Sequence, residues 1–389
     1  MPPDRLPDLI APTTPPAADP DAVTRNLARH AEISADSYAA NTKRALEGDT
    51  RLFQAWCAGH GRVSLPAEPR TVGDFVAAMA AGEAVEVESC DRHGRPRAVT
   101  LGGVRRPATI GRYLASIAHL HRAAGLPFDR AHPEITQRLR GVRRRLGVRQ
   151  RQARGLCWDE ILRMLPSDLP DRPPYEPLWE RLRSDERGAL KAAARLTWLS
   201  ALRDRALLLL GFASALRRSE LVGLDAGPGQ TPGDPAGYGW IEFCDEGIRI
   251  RLVRSKTDQQ GEGRSIGVPF GVHPDTCPVA AVRAWLDHAG IVHGPLFRPI
   301  SRAGTIRLDR LTDRSVALIV KRAAEAAGLE SATYAGHSLR SGHATTVAMN
   351  DGDERTIQAQ LGHASAEMTR RYIREANIFR RSSAGKLGL

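Results

Sequence analysis

The sequence lacks any long hydrophobic run. No stretch of about 18 apolar residues occurs in its 389 positions, so no segment is suited to cross a bilayer as a helix. The start, MPPDRLPDLIAPTTPPAADPD, has neither the basic beginning nor the apolar block of a secretory signal. Its proline content predicts a disordered tail over residues 1–22. We therefore expect a cytoplasmic protein with no membrane partner.

Cysteine is scarce, and its spacing forms no pattern. The chain has five widely separated cysteines and no CxxC pair: Cys57, Cys90, Cys157, Cys244 and Cys277. An odd number without close spacing indicates neither a disulfide framework nor a structural zinc site. The simplest interpretation is a reduced protein without structural zinc.

Lysine is missing from the most basic part of the chain. The net charge is +12, and residues 91–155 hold 16 Arg, no Lys and three acids. That window carries 16 − 3 = +13, so the rest of the chain sums to 12 − 13 = −1. Arginine binds phosphates in forked geometry, and a concentrated basic field is typical of a polyanion partner. A solubilising surface would mix lysine with arginine, so we favour nucleic acid.

The apolar spacing predicts a helical N-terminal domain over residues 23–147. Phe53 and Trp56 recur at helical spacing, and Thr71 is a candidate N-cap for a helix that ends at Gly82. Two β-prone runs, residues 85–90 and 98–101, predict a small hairpin.

An arginine-rich segment follows this domain, and residues 148–156 are the predicted linker. Eight arginines in and before the linker are too dense to bury and are expected to follow a DNA phosphate backbone: Arg138, Arg140, Arg143, Arg144, Arg145, Arg149, Arg151 and Arg154.

Residues 157–389 form the predicted second domain. Its pattern is mostly helical, and the runs GYGWIEFCDEG, IRIRLVR and RSIGVPF predict three short strands in series. Residues 166–188 are rich in proline and charge and are expected to be a surface insertion. The predicted fold class is mainly α with a small antiparallel β-sheet in the C-terminal domain.

Two short motifs place a basic residue near a possible partner. Arg217 and Glu220 in SALRRSEL are three residues apart and would share a helix face, where the carboxylate could orient the guanidinium. His337 and Arg340 in GHSLRSG have the same spacing, and the helix amides after Gly336 would favour an anion. Taken alone, the first motif is more often a surface ion pair. The second is more often a core histidine with an exposed arginine.

Three more residues could complete a cationic pocket around a phenol. Lys256 in RSKTDQ lies between predicted strands, where lysine is usually just solvated but could protonate a leaving alkoxide. His363 and Tyr372 in LGHASAEMTRRY are nine residues apart and could meet across a helix break. The alternative for Tyr372 is a buried aromatic on a C-terminal helix.

A metal site is the other possible use of the histidines. His337, His343 and His363 are the candidate ligands. The first two are six residues apart, which does not align them on a helix, and no cysteine or carboxylate cluster accompanies the three histidines. Basic surroundings would also repel a cation, so no metal is predicted.

Together, the ordered motifs Arg, Lys, HxxR, LGH and Tyr resemble the tyrosine recombinase (phage integrase) family. The resemblance covers about residues 30–380, with a Cre-like two-domain layout: a helical core-binding (SAM-like) domain precedes the catalytic domain, and both clamp DNA. It implies that Glu220 takes the acidic position beside the first arginine. It also implies that six residues take the catalytic positions: Arg217, Lys256, His337, Arg340, His363 and Tyr372.

The resemblance implies that DNA is cut and rejoined through a 3′-phosphotyrosyl intermediate on Tyr372. Lys256 would donate a proton to the departing 5′-hydroxyl, and His337 would assist removal of the proton from the tyrosine. His363 would form a hydrogen bond to the phosphate. No ATP, metal or organic cofactor is implied, and the sequence has no Walker loop or acidic metal cluster.

The implied partners are double-stranded DNA and further copies of the chain, as a dimer on each site and a tetramer on paired sites. Whether accessory DNA-bending proteins take part stays open. The segment after Tyr372 would be exchanged between subunits, and Ile378, Phe379 and Leu387 are its candidate anchors.

Other functions also stay open. A catalytically silent DNA-binding regulator would keep the fold, but the intact six-residue set argues against it. A type IB topoisomerase-like enzyme would use a similar pocket to relax DNA without strong site choice. A metal-dependent nuclease is disfavoured because carboxylate clusters are missing. The sequence does not indicate whether the role is integration, excision, resolution or transposition.

Overall fold

The computed structural model describes residues 19–34, 37–38, 40–90, 95–148, 153–165, 184–228, 238–253, 263–378 and 382–387. The chain divides into two compact units, Met1–Arg151 and Gln152–Leu389. The division falls inside the predicted linker, residues 148–156. Most of the predicted tail and of the predicted insertion at 166–188 lies outside the described residues.

The N-terminal unit is helical, with one hairpin among its described residues. Its helices are α1 (Pro20–Ser34), α2 (Ala40–Gly59), α3 (Pro69–Ala81), α4 (Pro107–Ala123) and α5 (Pro133–Leu146). The predicted hairpin is present and pairs β1 (Val85–Cys90) with β2 (Pro96–Leu101) in antiparallel register.

Proline and glycine set the helix ends in this unit. Pro69, Pro107 and Pro133 open α3, α4 and α5, where a missing N–H is tolerated and the fixed φ suits a helix. Gly82 ends α3 with a φ of 85°, which confirms the predicted stop. The predicted N-cap at Thr71 is wrong, because α3 starts at Pro69 and Thr71 is buried inside it.

Aromatic rings form the centre of the N-terminal core. Phe53 and Trp56 of α2 meet the ring of Phe75 edge-on, with centroids 5.0 and 5.4 Å apart. Ile110 and Leu114 of α4 are buried in the same cluster. Burying side chains of this size stabilises a fold by about 2 kcal/mol each, so these contacts explain why the helical spacing predicts the inward faces.

The C-terminal unit is also mainly helical. Its helices are α6 (Trp158–Met164), α7 (Ser184–Ser214), α8 (Arg218–Val222), α9 (Pro278–Ala289), α10 (Asp313–Ala326), α11 (Ser338–Met349), α12 (Glu354–Leu361) and α13 (Ala366–Ala376). The mainly helical fold class predicted from the sequence is therefore confirmed.

A four-stranded sheet accompanies these helices, in the order β3-β4-β5-β6. Its strands are β3 (Leu224–Asp225), β4 (Gly239–Cys244), β5 (Gly247–Leu252) and β6 (Arg264–Pro269). The three predicted strands pair antiparallel as expected. A fourth strand was not predicted: β3 pairs with β4 in parallel, and its two residues are too few to show a strand pattern in the sequence.

The apolar run ALLLLGFA lies inside α7 and crosses the core of this unit. Leu207, Leu208 and Leu210 are at most 1% exposed, in one cluster with the fully buried Trp285 of α9. The apolar surface of this run is therefore buried against other parts of the protein on several sides of α7. Among the described residues, no helix is both long and apolar enough to span a membrane.

An extended segment at residues 153–156 is fixed to the region where α11 begins. The amide of Arg154 donates to the carbonyl of Thr333, and the amide of Leu156 donates to that of Ser338, both at 3.0 Å. Gly342 of α11 permits this approach, because a Cβ there would lie 1.9 Å from the Leu156 carbonyl oxygen. The segment thus steadies the start of α11, which carries two predicted catalytic residues.

Candidate active site

Arg217 lies at the residue just before the short helix α8. Its amide donates to one carboxylate oxygen of Glu220 at 2.9 Å, and its Nη1 donates to the other oxygen at 2.6 Å. Glu220 is fully buried, so this two-point contact fixes the direction of the guanidinium. The structure thus brings the predicted pair together at the start of α8, with the Glu220 carboxylate accepting from the Arg217 amide, and not, as expected, along one helix face.

Arg340 of α11 is a buried arginine, only 2% exposed. Its Nη1 donates to the carbonyl of Ala215 at 2.8 Å, and its Nη2 donates to that of Leu361 at 2.6 Å. Ala215 has a φ of 54°, a left-handed conformation that stores strain near the site. Burial, and next the positive charge of Arg217, lower the pKa of Arg340 to about 10. The guanidinium therefore still carries its positive charge at neutral pH, and the two carbonyls fix it in a position where it can attract an anion.

His337 occupies the N-cap position of α11. Its Nε2 lies 3.1 Å from the phenol oxygen of Tyr372. Gly336 lets the chain pass against the stem of Arg218, since a Cβ there would lie 2.0 Å from the Arg218 Cδ. Although His337 keeps solvent-exposed surface, desolvation by the protein packed around its ring, and then the charges of Arg340 and Arg218, lower its pKa below the usual 6.5. The ring is therefore neutral at pH 7 and able to accept a proton.

His363 follows the end of α12 and is 7% exposed. Its Nδ1 lies 2.9 Å from the hydroxyl of Thr369, which is itself fully buried. Burial, and then the charge of Arg340, lower the pKa of His363 to about 4. Because Thr369 contacts Nδ1 of this neutral ring, Nε2 is the ring nitrogen that can form a hydrogen bond to a ligand.

A helix break brings Tyr372 back to both histidines. Gly362 ends α12 with a φ of 61°, and α13 begins at Ala366. Tyr372 is half-buried on α13, and its ring lies parallel to that of His363, with centroids 6.1 Å apart. The predicted meeting of these two residues across a break is what the structure shows.

Lys256 lies outside the described residues. It belongs to segment 254–262, between the end of β5 at Leu252 and the start of β6 at Arg264. Its place between two strands agrees with the sequence pattern. The other five predicted catalytic residues lie within one unit of the chain.

Two residues of this region were missed from the sequence. Thr369 contacts His363 across the helix break, so their spacing of six positions fits no helical pattern. Arg264 contacts Glu220 across the fold, with 3.6 Å between Nη2 and Oε2. Its one signal in the sequence is its position just after the segment that carries Lys256.

The histidines do not form a metal-binding group among the described residues. No set of three His, Cys, Asp or Glu side chains there is arranged to hold a metal ion. His343 faces away from such a role, since its Nδ1 lies 2.9 Å from the carbonyl oxygen of Phe212.

The helix α5 presents arginines on its exposed side. Its inward face consists of Ile135, Leu139 and Val142. The exposed side carries five of the predicted DNA-contact residues: Arg138, Arg140, Arg143, Arg144 and Arg145. Arg138 pairs with Asp74 at 3.2 Å. We find no ion pair to the other four among the described residues.

The remaining predicted DNA-contact arginines lie elsewhere. Arg154 belongs to the C-terminal unit, where its Nη2 pairs with Glu160 at 2.9 Å and its Nη1 donates to the hydroxyl of Tyr334 at 3.3 Å. Arg149 and Arg151 lie outside the described residues.

The chain has clear relatives. A family model described as the phage integrase family matches residues 180–377. The chain is 33% identical over 355 residues to an integrase/recombinase XerD homolog of Selenomonas ruminantium, covering 90% of this chain and 86% of that protein. It is also 33% identical over 222 residues to the tyrosine recombinase XerD of Xanthomonas axonopodis pv. citri, covering 56% of this chain and 66% of that one.

A solved structure shows the same fold. The Tn1549 transposon integrase in complex with transposon right end DNA is similar over 92% of this chain and 99% of that chain. The TM-score is 0.50 and the sequence identity 16%. These comparisons confirm the resemblance seen in the sequence, and the chain belongs to the phage integrase family of tyrosine recombinases, which are DNA strand-transfer enzymes.

Proposed function

We propose that this chain is a site-specific recombinase that cuts and rejoins double-stranded DNA with Tyr372 as its nucleophile. One observation carries the proposal: the phenol oxygen lies 3.1 Å from Nε2 of His337. Arg340 and Arg217 are close enough to His337 for their charges to lower its pKa. A phenol beside a neutral base and two fixed cations suits attack on a phosphodiester.

In the first step, Tyr372 Oη attacks the phosphorus, and the bond from phosphorus to the 5′-oxygen breaks. The phenolic proton passes to His337, whose lowered pKa keeps the ring neutral at pH 7. The product is a 3′-phosphotyrosyl ester and a free 5′-hydroxyl. In the second step, a 5′-hydroxyl attacks that ester and restores both the phosphodiester and the tyrosine. Because the ester keeps the bond energy, the cycle needs no ATP.

Three side chains would stabilise the charge that gathers on the non-bridging oxygens. Arg217 is held in direction by Glu220, and Arg340 by two carbonyl groups. His363 would donate from Nε2. Donors that are fixed before the reaction contribute roughly a few kcal/mol each to the transition state.

Lys256 is the proposed proton donor to the departing 5′-oxygen. A substrate with sulfur in place of that oxygen tests this role, because a thiolate leaves without a proton. We expect Lys256→Ala to block cleavage of the normal substrate and to cleave the sulfur-substituted one at close to the wild-type rate. Equal loss on both substrates would remove Lys256 from this role.

The proposed partner is double-stranded DNA, clamped by both units of the chain, in a cytoplasmic protein. The exposed arginines of α5 would follow the phosphate backbone, because four of the five, all but Arg138, have no ion pair among the described residues. A dimer would occupy each site and a tetramer two paired sites, with accessory DNA-bending proteins taking part at some sites.

Self-assembly would use the segment after Tyr372. Ile378 and Leu387 are 65% and 70% exposed, and large apolar side chains on a surface suit burial against another copy. Phe379 lies outside the described residues. Deletion of residues 376–389 should impair assembly on paired sites more than binding to a single site; equal loss of both would contradict the proposed exchange.

Trapping the covalent intermediate tests the central proposal. The protein would be mixed with a library of nicked duplex oligonucleotides, and SDS-resistant adducts would be isolated and their DNA sequenced. We expect adducts with the wild-type protein, in EDTA as well, and none with Tyr372→Phe at unchanged DNA binding. Tight binding without an adduct would instead favour a silent regulator. Adducts without site preference would favour a topoisomerase-like enzyme. Cleavage that EDTA abolishes would favour a metal-dependent nuclease.

A further inference from the structure

Arg264, the first residue of β6, makes contacts with two separate parts of the active site. Its Nη2 lies 3.6 Å from the carboxylate of Glu220. Its Nη1 donates to the carbonyl of Gln360 at 2.9 Å and approaches that of Ala359 at 3.3 Å. Gln360 and Ala359 belong to the last turn of α12, so one guanidinium joins the sheet, Glu220 and the end of this helix.

The surroundings of Arg264 are shaped for a guanidinium. A Cβ at Gly362 would lie 2.6 Å from its Nη1 and 2.8 Å from its Cζ, so the turn that ends α12 passes directly against the guanidinium. The Arg264 side chain is 20% exposed. Its burial, partly countered by the charge of Glu220, lowers the pKa of the guanidinium below its usual range. A partly buried charge is unfavourable unless it is paired and hydrogen-bonded, and here the Glu220 carboxylate and the Gln360 carbonyl are the partners.

The first contact affects Arg217. Glu220 is fully buried, and its single negative charge is shared between Arg217 and Arg264. One carboxylate cannot neutralise two guanidiniums, so this cluster keeps a net positive charge of 2 − 1 = +1. At 3.6 Å this contact is an ion pair without a hydrogen bond, so Arg264 attracts by its charge the carboxylate that orients Arg217.

The second contact affects the other side of the pocket. The carbonyl that follows those of Ala359 and Gln360 belongs to Leu361, and it accepts the hydrogen bond from Arg340. His363 comes two residues later. By holding two carbonyls of this turn, Arg264 fixes the backbone that places the acceptor for Arg340 and the ring of His363.

We propose that Arg264 is a positioning residue that holds the Glu220–Arg217 pair and the end of α12 in one arrangement, so that all the phosphate-binding side chains are aligned together. The effect on cleavage rests on the proposed function; the effect on the α12 turn does not. Arg264 itself acts through these neighbours and need not touch the DNA.

The first test measures hydrogen–deuterium exchange in the full chain without DNA. The variants are Arg264→Gln, Arg264→Lys and, as a matched control, Arg251→Gln. Arg251 is an arginine of the neighbouring strand β5, which pairs with Glu242 at 3.4 Å on the surface. We expect residues 357–365 to exchange at least about tenfold faster in Arg264→Gln, less so in Arg264→Lys, and at the wild-type rate in the control. Unchanged exchange in both Arg264 variants would overturn the proposal.

The second test compares two substrates made from the sequence that the adduct experiment selects. One carries the normal phosphate, and the other carries a methylphosphonate, which has lost the negative charge at the cleaved position. We expect Arg264→Lys to slow adduct formation on the phosphate by about tenfold or more, with DNA binding within about twofold of wild type. On the methylphosphonate, the loss should largely disappear, because aligned cations matter less there.

A general weakening of the fold would give a different result. It would slow both substrates equally and lower the melting temperature in proportion, and that outcome would overturn the positioning role. If Arg264→Gln does not fold, Arg264→Lys tests the proposal instead. Lysine keeps the positive charge but cannot reach both Glu220 and the α12 carbonyls as one planar guanidinium does. If the wild-type protein forms no adduct, the proposed function fails, and the exchange measurement still decides whether Arg264 holds the α12 turn.

Discussion

The Nε2 atom of His337 and the phenol oxygen of Tyr372 lie 3.1 Å apart, although 35 positions separate the two residues in the sequence. His337 is the N-cap residue just before α11, Tyr372 lies on α13, and these two helices pack together in the C-terminal unit. The contact places a base within direct reach of the proposed nucleophile. Proton transfer between them therefore needs no rearrangement of the chain.

The pH dependence of cleavage follows from this contact. The pKa of His337 is lowered, so the neutral ring persists on acidification below pH 6.5, its usual value, and is lost only as the pH falls through the lowered value. We expect single-turnover adduct formation to be constant around pH 7 and to fall in an acid limb that begins below pH 6.5. His337→Gln should be slower by about a hundredfold and should lose that limb. An unchanged acid limb in His337→Gln would assign the limb to another group.

Thr369 should control how His363 presents its second nitrogen. If the hydroxyl donates to Nδ1, the ring proton must be on Nε2, the form able to donate to a phosphate oxygen. Thr369→Val keeps the shape and removes the hydroxyl. We expect adduct formation to fall by about tenfold, from the loss of one buried hydrogen bond, while DNA binding is retained.

Thr369→Ser is the matched control, since it keeps the hydroxyl and removes only a methyl group. It should cleave at close to the wild-type rate. If Thr369→Ser and Thr369→Val are equally slow, the effect arises from packing around this fully buried residue and not from the hydrogen bond.

The proposed catalytic residues that the structure brings together could be named from the sequence because each lies in a short motif. Arg217, His337 and Tyr372 are recognisable from the order and spacing of these motifs. Thr369 and Arg264 were not predicted, because their partners lie across a helix break or on another element and their residue types are common on surfaces. The sequence therefore does not reveal contacts that form only when distant elements pack together in the folded chain.

The fold shows the same division between local and distant causes. The hairpin of β1 and β2 and the stop at Gly82 could be predicted, because neighbouring residues determine them. The start of α3 could not be assigned from Thr71, since that side chain is used in the core. The parallel strand β3 was missed because its two residues are defined by their partner in β4.

Arg340 should matter for both stability and cleavage. Its guanidinium bridges the carbonyls of Ala215 and Leu361, which a lysine ammonium cannot join in the same geometry. We expect Arg340→Lys to lower the free energy of unfolding by about 1–3 kcal/mol, because a buried carbonyl loses its donor. Adduct formation should fall by about a hundredfold or more. Chemical denaturation and single-turnover kinetics measure the two effects, and Arg355→Lys on the exposed side of α12 is the control. Wild-type stability in Arg340→Lys would show that the two carbonyls do not depend on this arginine.

The arginines of α5 should contribute binding energy without sequence preference. Arg140, Arg143 and Arg144 are exposed, and the described residues offer them no ion pair. Replacing all three by Gln should weaken binding to every duplex by a similar factor and should reduce the slope of log affinity against log salt by about 2–3, roughly 0.9 for each lost phosphate contact. Arg25→Gln, at an exposed arginine of α1 that pairs with Asp19 at 3.6 Å, should leave the slope unchanged. Titrations of a selected and an unrelated duplex at several salt concentrations decide the matter. A loss confined to the selected duplex would mean that these arginines read bases, and an unchanged slope would place the DNA on another face of the unit.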